Sequence, residues 1–215
     1  MFEGFSPETI DFLWGIRMNN NREWFLEHKK DYVNHLYEPM KDLGKDLFAP
    51  FLDRPGNVLK VSRIYRDARM HHDVPYKESL WICIRRDVEW WAENPCLYFE
   101  ITPEGVSYGF IFWRPRPSTM EAFRREIAAN PKAFLKLIKK TEKATGLPIT
   151  AELYKRPKPA PEKALERFFA WKGCIACAVD EPVSESIFGP ELGQRAAKLL
   201  EQLTPLYEYF NRFTE

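Results

Sequence analysis

The chain has no apolar run approaching the ~20 residues that a membrane-spanning helix needs. Its opening, Met1-Phe2-Glu3-Gly4, lacks the basic segment and apolar core of a signal peptide. The expectation is a cytoplasmic protein with no membrane partner. Four cysteines in 215 residues are too few for a disulfide scaffold. Cys174-Ile-Ala-Cys177 has the spacing of a redox pair or half a zinc site. It reads as part of a buried strand, however, where residues three apart point to opposite faces, and no second C-x-x-C or C-x-x-H accompanies it. His71-His72-Asp73 also looks like a metal cue, but adjacent histidines diverge in an extended loop and no H-x-x-x-H supports them. No metal site and no cofactor are therefore expected. The nucleotide fingerprints G-x-G-x-x-G and G-x-x-x-x-G-K-S/T are absent. So is G-x-S-x-G, which argues against a hydrolase, and the sequence has no internal repeat.

What is present is the composition of one globular domain over residues 1–215: 45% hydrophobic, 29% charged and 15% aromatic, with seven tryptophans. The formal net charge of +1 conceals local imbalance. Arg54 to Arg86 carries eight Lys/Arg against three acids, whereas residues 87–112 carry five acids and no base. Basic patches attract nucleic acid or phosphorylated ligands, although a solvated helix face gives the same count.

The hydrophobic period is helical, then alternating, then helical again. Ser6-Pro7-Glu8 opens a helix with Ser6 as N-cap, Pro7 at the first position and Phe5 stapling onto Ile10. Asn21 caps a second helix, which Pro39 is expected to break, with a further helix following from Glu38. Val58–Arg66, Leu80–Arg86, Cys96–Thr102 and Val106–Trp113 read as strands, the last two flanking a Pro103-Glu104-Gly105 hairpin turn. Ser118 to Glu121 reads as a capping box, Asn130-Pro131 opens a helix that exposes Lys132, Lys136, Lys139, Lys140 and Lys143, and Gly189-Pro190 starts a terminal helix. The fold class is α+β: a mostly antiparallel meander with N-terminal and C-terminal helices packed on it.

The densest chemistry lies between Arg63 and Lys77, where Arg63, Arg66, Arg69 and Lys77 surround Asp67 as a strand runs into a loop. Guanidinium forks match phosphate or carboxylate, and an acid among them holds their geometry. Arg66, closing the strand beside Asp67, is expected to be its structural partner, with Arg69 out on the loop. Arg22 and Lys29, near the turn at Asn20, are candidates for the same anion. Asp67 and Tyr76 are the nearby groups able to move a proton.

Asn20 to Lys29, Arg63 to Met70 with Pro75-Tyr76-Lys77, and Tyr154 to Lys158 resemble the domain of unknown function 2461 family, conserved in bacteria and fungi. The resemblance spans nearly the whole chain, implies a single fold and supplies no reaction. Where that family has Phe after the last Arg and Asp-Lys before Pro-Tyr-Lys, this chain has Met70 and Asp73-Val74, one cation fewer.

These residues together predict a cytoplasmic enzyme or ligand-binding protein that recognises an anionic small molecule through Arg63, Arg66, Arg69, Lys77, Arg22 and Lys29. The alternative is a non-enzymatic nucleic-acid-binding or protein-interaction module using the lysine face of residues 131–145. Its one aromatic, Phe134, falls on the apolar side, so the pattern lacks rings interleaved with the cations.

Overall fold

A computed structural model describes residues 1–67, 69–70 and 73–214. It forms a single α+β domain. Among the described residues six strands make one sheet in the order β1-β2-β3-β4-β6-β5, every neighbouring pair antiparallel. The strands are β1 (Asn57–Val61), β2 (Leu80–Arg86), β3 (Pro95–Thr102), β4 (Gly105–Phe112), β5 (Thr150–Leu153) and β6 (Trp171–Pro182). The predicted hairpin closes with Thr102 opposite Gly105, and Cys96 to Thr102 pairs with Gly105 to Ile111.

One face of the sheet carries Leu97, Phe99, Ile101, Phe110 and Phe112, all fully buried. Helices α4 (Glu38–Phe48) and α8 (Glu191–Asn211) lie on that face, where Phe210 meets Phe110 at 5.8 Å between ring centroids. The period of two turns Trp81, Tyr98, Glu100 and Ile111 to the opposite face. There a short 3₁₀ turn, Trp91–Glu93, brings Trp91 to 5.8 Å from Trp81. Gly109 sits across from Tyr98 with φ +155°, and a Cβ there would overlap the Cys177 carbonyl oxygen of β6. Only glycine fits.

Helix α1 (Pro7–Met18) begins as expected after Ser6, whose N–H donates to Thr9 Oγ1 at 3.2 Å. Helix α2 (Arg22–Glu27) is capped by Asn21, whose Oδ1 accepts from Trp24 N–H. Pro39 does not break the chain's helical path, contrary to the sequence reading. The short α3 (Lys29–Asp31) runs into a π-helical segment, Tyr32–Tyr37, and then directly into α4. Glu38 N–H reaches back five residues to Val33 O. The wider turn makes room for the proline ring, and the carbonyl that Pro39 leaves without its N–H, His35 O, accepts the Thr9 hydroxyl at 2.5 Å. Thr9 is fully buried.

Two more local readings change. β1 ends at Val61, five residues before the predicted Arg66. Ser62 Oγ takes the Trp81 N–H that a longer strand would pair through backbone, and the chain then turns to residues 75–77. Helix α5 (Pro117–Ala129) starts one residue before Ser118, with Pro117 at its first position in place of the predicted capping box. Helix α6 (Pro131–Thr145) follows Asn130 as predicted and ends at left-handed Gly146, and α7 (Glu166–Phe169) packs Phe168 against Trp171. At the chain's two ends, Phe5 makes a parallel bridge with Phe188 and stacks on Phe99.

Candidate functional site

Residues 64–66 pair with residues 75–77 in a small antiparallel ladder standing on the N-terminal helices. Tyr65 bridges Tyr76, Arg66 N–H donates to Pro75 O at 2.9 Å, and Lys77 N–H donates to Ile64 O at 2.7 Å. Two anchors hold it. Asn20 brackets the backbone of Tyr76, accepting its N–H and donating to its carbonyl, both at 3.0 Å. The Tyr76 ring is 4% exposed and stacks on Phe25 of α2 at 4.3 Å.

On the sheet side of this ladder lies an open cleft of about 480 Å³, lined by Arg17, Arg66, Asp67, Lys77, Glu78, Ser79, Trp81, Glu100 and Thr102. Its acids are committed. Glu78 pairs with Arg17 Nε at 2.6 Å, Glu100 accepts from Ser79 Oγ at 2.8 Å, and Asp67 takes a bidentate grip from Arg69 at 2.6 and 3.0 Å. Arg17 also holds Glu104 of the β3–β4 turn, and this hydrogen bond draws the Glu104 carboxyl below its usual range. Two cations are left. Arg66 Nε donates to Tyr76 O at 2.8 Å and Lys77 Nζ donates to Arg63 O at 2.8 Å, and among the described residues neither makes an ion pair. Burial, and then the neighbouring Arg66, lower the Lys77 pKa.

The sheet face continues past this cleft. Trp81 and Glu100 also line an apolar trough of about 320 Å³, completed by Cys83, Cys96, Tyr98, Ile111, Trp91 and Trp113. Cys83 and Cys96 are buried free thiols. Tyr98 donates to or accepts from Ser107 Oγ at 2.8 Å, and burial pushes its phenol up to about 12.

The structure thus brings Arg66, Lys77 and Asp67 together and leaves the other candidates outside this cleft. Arg63 is exposed, with its charge felt by the Tyr32 phenol. Arg69, not Arg66, grips the Asp67 carboxylate, because Met70 N–H donates to Asp67 O and Arg69 folds back onto the acid. Arg22 and Lys29 are exposed and do not line the cleft. Tyr76 packs into the core, where burial raises its pKa. Ala68, His71 and His72 lie outside the described residues. Cys174 and Cys177 point to opposite faces of β6 as read from the sequence, Cys177 buried and Cys174 half-buried at a positive φ of 43°.

Arg17, Glu78, Ser79, Glu100, Thr102 and the three tryptophans were not singled out by sequence. One signal was present: Glu100 is an acid on the outward phase of β3, between the inward Phe99 and Ile101, and Trp81 is its cross-strand partner.

The family described as conserved hypothetical protein, domain of unknown function 2461, has a model that matches residues 8–209. No curated protein matches the chain.

Proposed function

The chain belongs to the conserved hypothetical family of domain of unknown function 2461, and from that premise we propose that it binds an anionic small molecule, through a phosphate or carboxylate group, at Arg66 and Lys77. The observation that carries this reading is the pairing of two like charges in one cleft. Arg66 and Lys77 face the same space with no ion-pair partner among the described residues, and the lysine's pKa is lowered in part by the arginine. Bringing cations together costs free energy that an anion between them returns, and charge-assisted hydrogen bonds to it contribute about 1.5–3 kcal/mol each. Asp67 lines the same cleft as a group able to move a proton if the bound molecule also reacts, whereas Tyr76 is turned into the core.

Cytoplasmic residence is part of the same proposal, supported by four free thiols; among the described residues no helix is long and apolar enough to cross a membrane. The nucleic-acid reading rests on the exposed lysines of α6 alone, because Phe134 is buried against Phe123 and Phe168 and offers no ring to a base.

Titration calorimetry with inorganic phosphate and with small dicarboxylates tests the reading. Binding that weakens at least tenfold in both Arg66→Ala and Lys77→Ala, with the folded state intact, is the expected result. Failure of all these anions to bind, or binding indifferent to both substitutions, overturns it.

A further inference from the structure

The cleft and the trough are one surface. Trp81 and Glu100 belong to both, so whatever anion sits at Arg66 and Lys77 has a strip of indole beside it. Lys77 Nζ lies 5.7 Å from the Trp81 ring centroid, which places the cationic end one ring-width from the stacking end. Trp91 and Trp113 are 43% and 48% exposed, unusual for the largest apolar side chain, and they stand around the same depression as Trp81. The floor beneath them is apolar.

Among the described residues that line the trough, Glu100 is the one charged group, and Lys60, beside Cys83 on the same face, stands outside the lining. Arg85, which the register also places on this face, is turned away and donates to the carbonyls of Arg86 and Val88. Glu100 stands at the junction with one oxygen taken by Ser79 Oγ. A carboxylate there repels a second anion and so fixes which end of the ligand carries its charge. It also leaves an acceptor for hydroxyl groups between the two ends.

We infer that the ligand is a nucleoside monophosphate, its phosphate at Arg66 and Lys77, its sugar hydroxyls facing Glu100 and its base in the trough among Trp81, Trp91 and Trp113. This rests on the anion reading given above and extends it to the rest of the molecule. The order of chemistry along the groove, cations, then acceptor, then rings, is the order along such a ligand: dianion, hydroxylated linker, flat base. A single-stranded nucleic acid asks for something else, a basic track running beside successive rings, and here no Lys or Arg lines the trough that holds the tryptophans.

Calorimetry with AMP, UMP, adenosine and inorganic phosphate on the intact chain tests this, with decathymidylate and sedimentation as further arms. AMP or UMP is expected to bind at least tenfold more tightly than phosphate, with adenosine weaker than AMP. Trp91→Ala, in a half-exposed turn where loss of the ring leaves the core untouched, is expected to reduce that advantage to less than threefold. Phosphate binding that depends on Arg66 and Lys77, with AMP and UMP no tighter, overturns this inference and leaves the anion reading standing. If neither phosphate nor nucleotide binds, both fall. Decathymidylate binding over tenfold more tightly than UMP, or a dimer that Trp91→Ala dissociates, assigns the trough to a macromolecule and overturns the mononucleotide.

Discussion

Asn20 and Tyr76 are joined as two strands are joined: the amide oxygen accepts the Tyr76 N–H and the amide nitrogen donates to the Tyr76 carbonyl, each at 3.0 Å. One side chain thereby supplies both halves of a ladder pair to a hairpin that has no neighbouring strand on that side. The cleft's geometry depends on it, because the same carbonyl receives Arg66 Nε.

Asn20→Ala is expected to cost about 1–3 kcal/mol, the penalty for leaving a part-buried donor and acceptor short of partners. Urea unfolding measures it. A loss under about 0.5 kcal/mol would show that water replaces the amide without penalty and that the hairpin is held by the Tyr76 stack on Phe25 alone.

Thr9 and Pro39 are expected to be coupled. Thr9→Val removes the donor to His35 O and should destabilise by about 1–3 kcal/mol. Pro39→Ala returns an N–H that an ordinary α-turn would give to that same carbonyl, so the threonine should matter less in its presence. A double-mutant cycle checks this, and strict additivity would contradict the shared acceptor.

Arg69→Ala is expected to leave the melting temperature nearly unchanged, since its pair with Asp67 is solvent-exposed. Arg66→Ala gives up one hydrogen bond to Tyr76 O but also relieves the charge beside Lys77, and the two effects oppose. Arg66 is therefore not the residue whose loss strands Asp67. Thermal unfolding of both variants gives the comparison, and a loss of several degrees in Arg69→Ala alone would mean that the Asp67 clamp holds the hairpin together.

Lys77 gives the folded state a signature in pH. Its folded pKa is lowered, by burial first and by Arg66 second, so at a given alkaline pH the unfolded chain binds more protons than the folded one. Stability therefore rises with pH between the lowered value and the ordinary 10.5, and the penalty is fully present below the lowered value. Relative to Lys77→Met, the wild-type melting temperature should climb as the pH approaches 10.5 from below. Parallel curves for the two proteins would show that the ammonium is not penalised in the fold.

Gly109→Ala is expected to be among the most damaging single-atom additions, at ~3 kcal/mol or more, because the new methyl meets the β6 backbone at a positive φ. Circular dichroism and expression yield report it. A variant as stable as wild type would mean that β6 can move away from β4.

The sheet was legible because alternation in Leu97, Phe99 and Ile101 and the Pro103-Glu104-Gly105 turn are local signals that fix register without help from the rest of the chain. Pro39 misled for a physical reason. Its lost hydrogen bond is replaced by Thr9, on another helix, and by a widened turn, neither visible in the proline's own neighbourhood. The cluster at residues 63–77 was visible as charge, but which cation meets which acid depended on how Arg69 folds back onto Asp67, which spacing alone does not specify. Trp81 and Glu100 become neighbours only once β2 and β3 are paired, so the trough was invisible until the register was known.

The bridge between Phe5 and Phe188 bears on the order in which the domain folds. Phe2 and Phe5 are buried in the finished domain, and Phe5 rests between Phe99 and the segment at Phe188. A contact of such long sequence separation must close a long loop before its burial is gained, so it forms late. Until it does, both phenylalanines stand uncovered, and a folding intermediate that lacks this bridge presents them to solvent.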